Sequence, residues 1–183
     1  MEFETARLKC RNLTLSEYDS FETSKELNWS DLKNPYGHLV IGPNPLSHRI
    51  PRVKKDNKFA EIGLVLAIEK KTNILVGSAG FHDFPNADGM IEIGFGIVPE
   101  MQGQGFGQEL LLGMWISILK NSEVQVLRYT VSPENKISLH IIEKFQFKKV
   151  GEQIDPEDGL ELIYEIGAKE FKSLYGEIGR AHV

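Results

Sequence analysis

An apolar run from Ile91 to Val98 breaks into Pro99-Glu100-Met101-Gln102-Gly103-Gln104-Gly105-Phe106-Gly107 and continues as a long amphipathic segment, Gln108 to Leu119. A strand that runs through a glycine-rich turn into a helix commits the centre of the chain to an α/β arrangement. The same order carries a chemistry. Such a turn aims several backbone N–H groups at one point beside the positive end of the helix dipole, which makes a site for a phosphate or pyrophosphate. Glycines allow positive φ and let a ligand come close with no Cβ in the way.

Two phosphate loops are excluded by their residues. The nucleoside-triphosphate loop ends in Gly-Lys-Ser/Thr, whereas Gly107 is followed by Gln108 and Glu109. The dinucleotide fingerprint G-x-G-x-x-G requires its third glycine at position 108, which is Gln. What stands is Gln102-x-x-Gly105-x-Gly107. On spacing alone it also fits a plain tight turn between strand and helix.

The 183 residues are enough for one domain with a substantial core. A single cysteine, Cys10, excludes an internal disulfide and a cysteine zinc site, which fits a reducing, cytoplasmic setting. It lies in an apolar–polar alternation and reads as a core residue. The acidic N-terminus, Met1-Glu2-Phe3-Glu4, is unlike a secretory signal. The apolar run Leu110 to Leu119 is too short to cross a bilayer. A net charge of −5 argues against general nucleic-acid binding and suits a cationic acceptor.

Residues 6 to 13 alternate as a first strand, followed by a helix capped by Thr14 or Ser16 and running to about Leu27. The proline-rich stretch Asn34 to Asn57 is too long for an ordinary connection and reads as a functional loop with room for a short helix. Ile62 to Glu69 and Ile74 to Phe81 form a hairpin, and Met90 to Val98 is the next strand. The helix from Gly105 to Lys120 buries Leu110, Leu111, Met114 and Ile118. A strand over Val124 to Val131, a helix from Ser132-Pro133-Glu134-Asn135 to Phe145, strands Lys148 to Gln153 and Leu160 to Ile166, and a terminal helix from Ala168 complete the order.

Domain boundaries are read as 5–167 for the main domain and 168–177 for the terminal helix. Residues 178–183 are read as a non-native tail, because a common sequencing adapter translated in frame encodes Ile178-Gly179-Arg180-Ala181-His182-Val183. The alternative is an ordinary flexible terminus.

The motifs together resemble the GNAT N-acetyltransferases of the RimJ/RimL type, which act on ribosomal-protein N-termini and related amines. Thr5-x-Arg7-Leu8-x-x-Arg11 is similar to that group's first strand, and Val76-Gly77-x-x-Gly80-Phe81 to its third. Ile91-Glu92-Ile93-Gly94-Phe95-x-Ile97 with the glycine loop resembles its fourth strand and pyrophosphate loop. Val131-x-Pro133-x-Asn135-x-x-Ser138 and Glu143-Lys144-Phe145-Gln146-Phe147 resemble its late helix.

The resemblance implies a single GNAT-like α/β domain. Its sheet is mixed, mostly antiparallel and six- to seven-stranded, with splayed central strands and helices on both faces. It implies acetyl-coenzyme A as cosubstrate. The N–H groups of Gly103, Gln104, Gly105, Phe106 and Gly107 then hold the pyrophosphate, with Gln102 closing the turn. Ile97 and Val98 pair through their backbone with the pantetheine arm. Asn135 either bonds that arm or caps its helix.

Glu92 occupies the position where several relatives carry the general base. Strand alternation also allows it to face solvent opposite Ile91 and Ile93. The leaving-group tyrosine of many relatives falls on Ile142 and is missing. Ser138 is the substitute implied, although a helix serine also bonds its own preceding carbonyl. Gln146 stands where the family has glycine. Tyr36, His38 and His48 are candidates to line an acceptor pocket, and the cluster Arg49, Arg52, Lys54, Lys55 and Lys58 reads first as solvated surface. No spacing of ligands points to a metal.

The expected activity is acetyl transfer from acetyl-coenzyme A to a primary amine, a protein N-terminus or a small amine, by direct attack in a ternary complex. The chain is expected to be a cytoplasmic monomer or homodimer with no membrane or general nucleic-acid partner. A non-catalytic acyl-coenzyme-A-binding module is the alternative.

Overall fold

The computed structural model describes residues 1–24, 27, 29–41, 44–156 and 158–180, the last four as backbone only. Residues 42 and 43 of the proline-rich loop and 181–183 of the tail lie outside it. The strands are β1 (Glu2–Glu4), β2 (Leu8–Asn12), β3 (Val65–Glu69), β4 (Ile74–Phe81), β5 (Met90–Ile97), β6 (Val126–Val131), β7 (Lys148–Asp155) and β8 (Gly159–Gly167). The helices are α1 (Leu15–Ser24), α2 (Leu46–Lys55), α3 (Ala60–Gly63), α4 (Phe106–Ile118), α5 (Lys136–Lys144) and α6 (Ala168–Arg180).

One sheet of eight strands runs in the order β1-β2-β3-β4-β5-β6-β8-β7. Every neighbouring pair is antiparallel except β5 and β6. It exceeds the expected six to seven strands because Glu2–Glu4 folds back on β2, with Phe3 opposite Cys10. Phe3 lies against Gly113 of α4, where any Cβ would strike its ring.

Local signals set the boundaries. At α1 the Thr14 hydroxyl accepts from the Glu17 N–H at 3.2 Å, while Glu17 accepts from the Thr14 N–H at 2.7 Å, a reciprocal cap. The proline-rich loop contains a longer helix than expected, α2, which buries Leu46 and Val53. At the end of α5, Gln146 takes φ +59°, the left-handed geometry that a helix terminus demands. A glycine there would meet that demand without the Cβ clash that costs about 1–2 kcal/mol.

Leu110, Leu111, Met114 and Ile118 of α4 are buried, joined by Phe106 and Trp115. Trp115 is fully buried among the rings of Phe145, Phe147 and Phe171, with centroids 5.0, 4.8 and 5.4 Å away. These contacts tie α4, the end of α5 and α6 into one aromatic core. Cys10 is a core residue, its thiol pushed up to about 12 by burial. No helix among the described residues is long and apolar enough to cross a membrane.

Candidate active site

β5 and β6 pair only over Met90–Glu92, in register with Val126–Arg128. Beyond that point β6 runs along β8 and β5 continues along β4 as far as Ile97, so the two strands part. The Val98 N–H donates to the Val76 carbonyl and the His82 N–H to the Glu92 carbonyl, each at 2.9 Å. Alternation along the ladder therefore turns the backbone groups of Glu92, Gly94, Gly96 and Val98 toward β4. Those of Phe95 and Ile97 face the gap. The expected backbone role of Val98 is corrected: its N–H is taken by Val76, and its carbonyl accepts from the Met101 N–H at 2.9 Å. Phe95 is the residue that shares the open edge with Ile97.

The glycine loop follows at once. The Gln102 Nε2 donates to the Ile97 carbonyl at 2.9 Å and closes the turn. Gly103 and Gly105 take φ +73° and +82°, and Gly105 is the residue before the first turn of α4. Among the described residues, no protein acceptor is found for the N–H groups from Gly103 to Gln108. Six adjacent donors at a helix N-terminus form an anion cradle. Gly107 serves packing: a Cβ there would stand 2.9 Å from the Phe95 ring, so its absence lets α4 sit on β5.

A strut holds the loop from behind. Glu109 accepts from the Thr5 hydroxyl at 2.5 Å and from the Arg7 N–H and Nε at 2.7 Å each. Arg7 also donates to the Gln104 carbonyl at 2.9 Å and lies 4.3 Å over the Phe106 ring. Burial opposes the charge of Glu109, but the bonds from Thr5 and Arg7 outweigh it and lower its pKa. The Thr5-x-Arg7 opening is therefore a brace for the loop. That role was invisible in sequence because its acceptor lies on α4.

A cleft of about 630 Å³ lies between the open edge of β5, the loop and the first turns of α5. Asn135 caps α5, its Oδ1 accepting from the Ser138 N–H at 3.0 Å, which leaves its amide NH2 as the group available to a ligand. Ser138 is 7% exposed and lies beside the Tyr129 side chain. Tyr129 packs against Phe95, ring centroids 6.0 Å apart, and burial pushes its phenol up to about 12. Ile142 is buried core, so α5 presents no tyrosine hydroxyl at that position. Sequence reasoning missed Tyr129, because strand alternation gives its face but not its partner.

The opposite face of β5 carries Glu92. Its Oε1 accepts from the Thr130 hydroxyl at 2.5 Å and lies 3.4 Å from the His82 Nδ1. Burial lowers the His82 pKa against the opposing pull of Glu92, so the imidazole is neutral near pH 7. Glu92 thus joins Thr130 and His82 at the mouth of the splay instead of facing solvent alone; its side chain is 18% exposed. On the same face the His38 Nε2 stands 2.9 Å from the Ser78 Oγ. Among the described residues no hydrogen bond or ion pair joins Tyr36, Lys54, Lys55 or Lys58 to this group; Lys54 pairs with Glu22 at 2.6 Å.

His38 has a measurable consequence. Burial lowers its pKa from 6.5 to about 4. Between those values the unfolded chain binds a proton that the folded protein refuses. Stability is therefore complete above pH 6.5 and declines toward pH 4, by about 3 kcal/mol from this group. His38→Gln should flatten the slope of unfolding free energy in that window. An unchanged slope in urea titrations would remove His38 as its source.

The sheet thus splays beside a donor-rich loop at a helix N-terminus, with a carboxylate at the fork. A family model described as an acetyltransferase (GNAT) domain matches residues 7–148, and the chain belongs to that family of acetyltransferases. Solved structures share the fold. A GNAT-family acetyltransferase from Bacillus anthracis is 20% identical, with 92% of this chain and 99% of that one covered and a TM-score of 0.64. A ribosomal-protein-S5-alanine acetyltransferase from Vibrio fischeri is 14% identical over 94% and 99%, at 0.66. The spermidine/spermine N-acetyltransferase SpeG from Vibrio cholerae is 14% identical over 92% and 97%, at 0.65. No match is found among curated protein sequences.

Proposed function

We propose that the chain is an N-acetyltransferase that moves acetyl from acetyl-coenzyme A to a primary amine, within the RimJ/RimL-like branch of the family. The observation that carries the reading is the adjacency of two unsatisfied backbone surfaces. Free N–H groups from Gly103 to Gln108 lie next to the edge at Phe95 and Ile97 that no strand pairs, where only the Ile97 carbonyl is held, by the Gln102 side chain. The first suits a pyrophosphate and the second suits the amides of a pantetheine arm. Asn135 offers its amide NH2 to the same arm.

Acetyl-coenzyme A supplies the activated acetyl group when bound. The acceptor nitrogen forms a bond to the acetyl carbon as the C–S bond breaks. Glu92 takes the proton that the amine loses, directly or through a water. Ser138, which lines the cleft in the first turn of α5, hydrogen-bonds the departing thiolate, and the proton that Glu92 has taken returns to the sulfur through it. Among the described residues no activated nucleophile lines the cleft, and attack is direct in a ternary complex.

The cofactor half is tested by thermal unfolding with and without acetyl-coenzyme A. Saturation at 100 times the Kd should stabilise the fold by about 2.7 kcal/mol. Gly105→Val, which strains the φ +82° turn, should abolish most of that shift. A wild-type protein indifferent to acetyl-coenzyme A would overturn the reading.

A further inference from the structure

His82 follows β4 and lays its ring on the face of β5 that carries Glu92. Its Nδ1 lies 3.4 Å from the Glu92 Oε1, and its Nε2 stands over Gly94, 2.9 Å from the place a Cβ would occupy. Alternation puts Glu92, Gly94 and Gly96 on this one face. Over Gly96 the space is open, with no atom beyond the adjoining residues within 4 Å of a Cβ built there. A substrate that reaches the fork across these two glycines meets the imidazole and the carboxylate side by side. The ring also reaches solvent. Its side chain is 45% exposed, against 18% for Glu92, and it lines a groove of about 840 Å³ whose walls include His48, Arg49 and Arg52 of α2 and Asp155 and Asp158 at the β7–β8 turn.

The proton balance of acetyl transfer calls for two acceptors. An alkylamine with a pKa of about 10.4 is an ammonium ion at pH 7, with only roughly one molecule in two thousand neutral. R–NH3⁺ and acetyl-coenzyme A give R–NH–CO–CH3, the free thiol and one proton in excess. The nitrogen therefore sheds two protons. One leaves before attack, to free the lone pair, and the other leaves as the C–N bond forms and the C–S bond breaks. The second is the proton that Glu92 takes and the sulfur receives. The first must reach solvent, from which Glu92 is largely withdrawn.

We propose that His82 is a second proton acceptor of the reaction: its Nε2 takes the proton by which the bound ammonium becomes an amine and passes it to water in the groove, while Glu92 keeps the proton destined for the thiolate. This rests on the N-acetyltransferase reading of the fork. A carboxylate beside Nδ1 favours the tautomer with its hydrogen there, which leaves the Nε2 lone pair free to accept. The surroundings favour prompt release. Burial disfavours the charged ring, Glu92 opposes that effect, and Arg49 and Arg52 add to it, so the pKa is lowered and the imidazolium gives up its proton near pH 7. Asp83, the neighbouring carboxylate, is engaged by Arg52 at 2.5 Å.

The experiment compares acceptors that differ in charge on arrival: ethylamine, an ammonium ion at pH 7, and trifluoroethylamine, already neutral there. His82→Gln should lower kcat/KM for ethylamine by about a hundredfold more than for trifluoroethylamine, the lower range for a positioned general base. Peptides, whose α-amine has a pKa of about 8, should fall between the two, and their penalty should shrink as the pH rises to about 9. Imidazole added to His82→Ala should restore transfer to ethylamine more than to trifluoroethylamine. Thermal unfolding of both variants checks the fold. Equal losses with the two amines, or a peptide penalty that does not change with pH, would mean that His82 only steadies Glu92, and would overturn the inference while leaving acetyl transfer intact. A wild-type protein that releases no thiol with any of these acceptors would overturn acetyl transfer and this role together.

Discussion

Glu92→Gln is expected to lower kcat by about 10²- to 10⁴-fold while leaving the affinity for acetyl-coenzyme A unchanged, the usual effect of removing a positioned general base. The substitution keeps size and keeps an acceptor oxygen for the Thr130 hydroxyl, which bonds Glu92 at 2.5 Å. Folding should therefore be preserved, and thermal unfolding of the variant checks it. A kcat equal to that of wild type would remove Glu92 from the proton path. His82, 3.4 Å away and neutral near pH 7, would be the next group to examine.

The second large effect is on stability. Trp115→Ala should cost about 3–5 kcal/mol and lower the melting temperature by roughly 6–20 °C in a domain of this size. Trp115 is fully buried and touches three other aromatic rings, two from the link between α5 and β7 and one from α6, so no single neighbour can relax to fill the void. The loss should appear in the denaturation midpoint. Because the cluster lies under α4 and not at the loop, KM for acetyl-coenzyme A should stay constant at temperatures where the variant is folded. A cost below about 1 kcal/mol would mean that the aromatic cluster is loosely packed.

How far the sequence carried depends on whether a feature was local. The strand expected over Met90 to Val98, which ends one residue earlier at Ile97, the glycine loop and the buried stripe of α4 are periodic or spaced over a few residues, and each was legible from its pattern. Register is not local. It assigns the open edge to Phe95 and Ile97 and withdraws Val98, whose N–H is held by Val76 from the neighbouring strand. The same holds for partners brought in from a distance. Tyr129 meets Ser138 only because α5 packs on β6, and Thr5 and Arg7 find Glu109 only because β1 and β2 reach α4. Charge clusters mislead for a related reason. Arg49, Arg52 and Lys54 read alike along the chain, yet the fold exposes Lys54 to Glu22, pairs Arg52 with Asp83 and leaves Arg49 with a buried, unpartnered Nε.

The open edge at Phe95 and Ile97, the donor-rich loop and Glu92 at the fork converge on one reaction. Its most direct test is product mass spectrometry on a panel of amines and N-terminal peptides incubated with acetyl-coenzyme A, with thiol release followed in parallel. The account predicts one acetyl group added to a primary amine for each thiol released, with both signals suppressed together in Glu92→Gln. Tight binding of acetyl-coenzyme A with no acetylated product from any amine would contradict it and leave a binding module in its place.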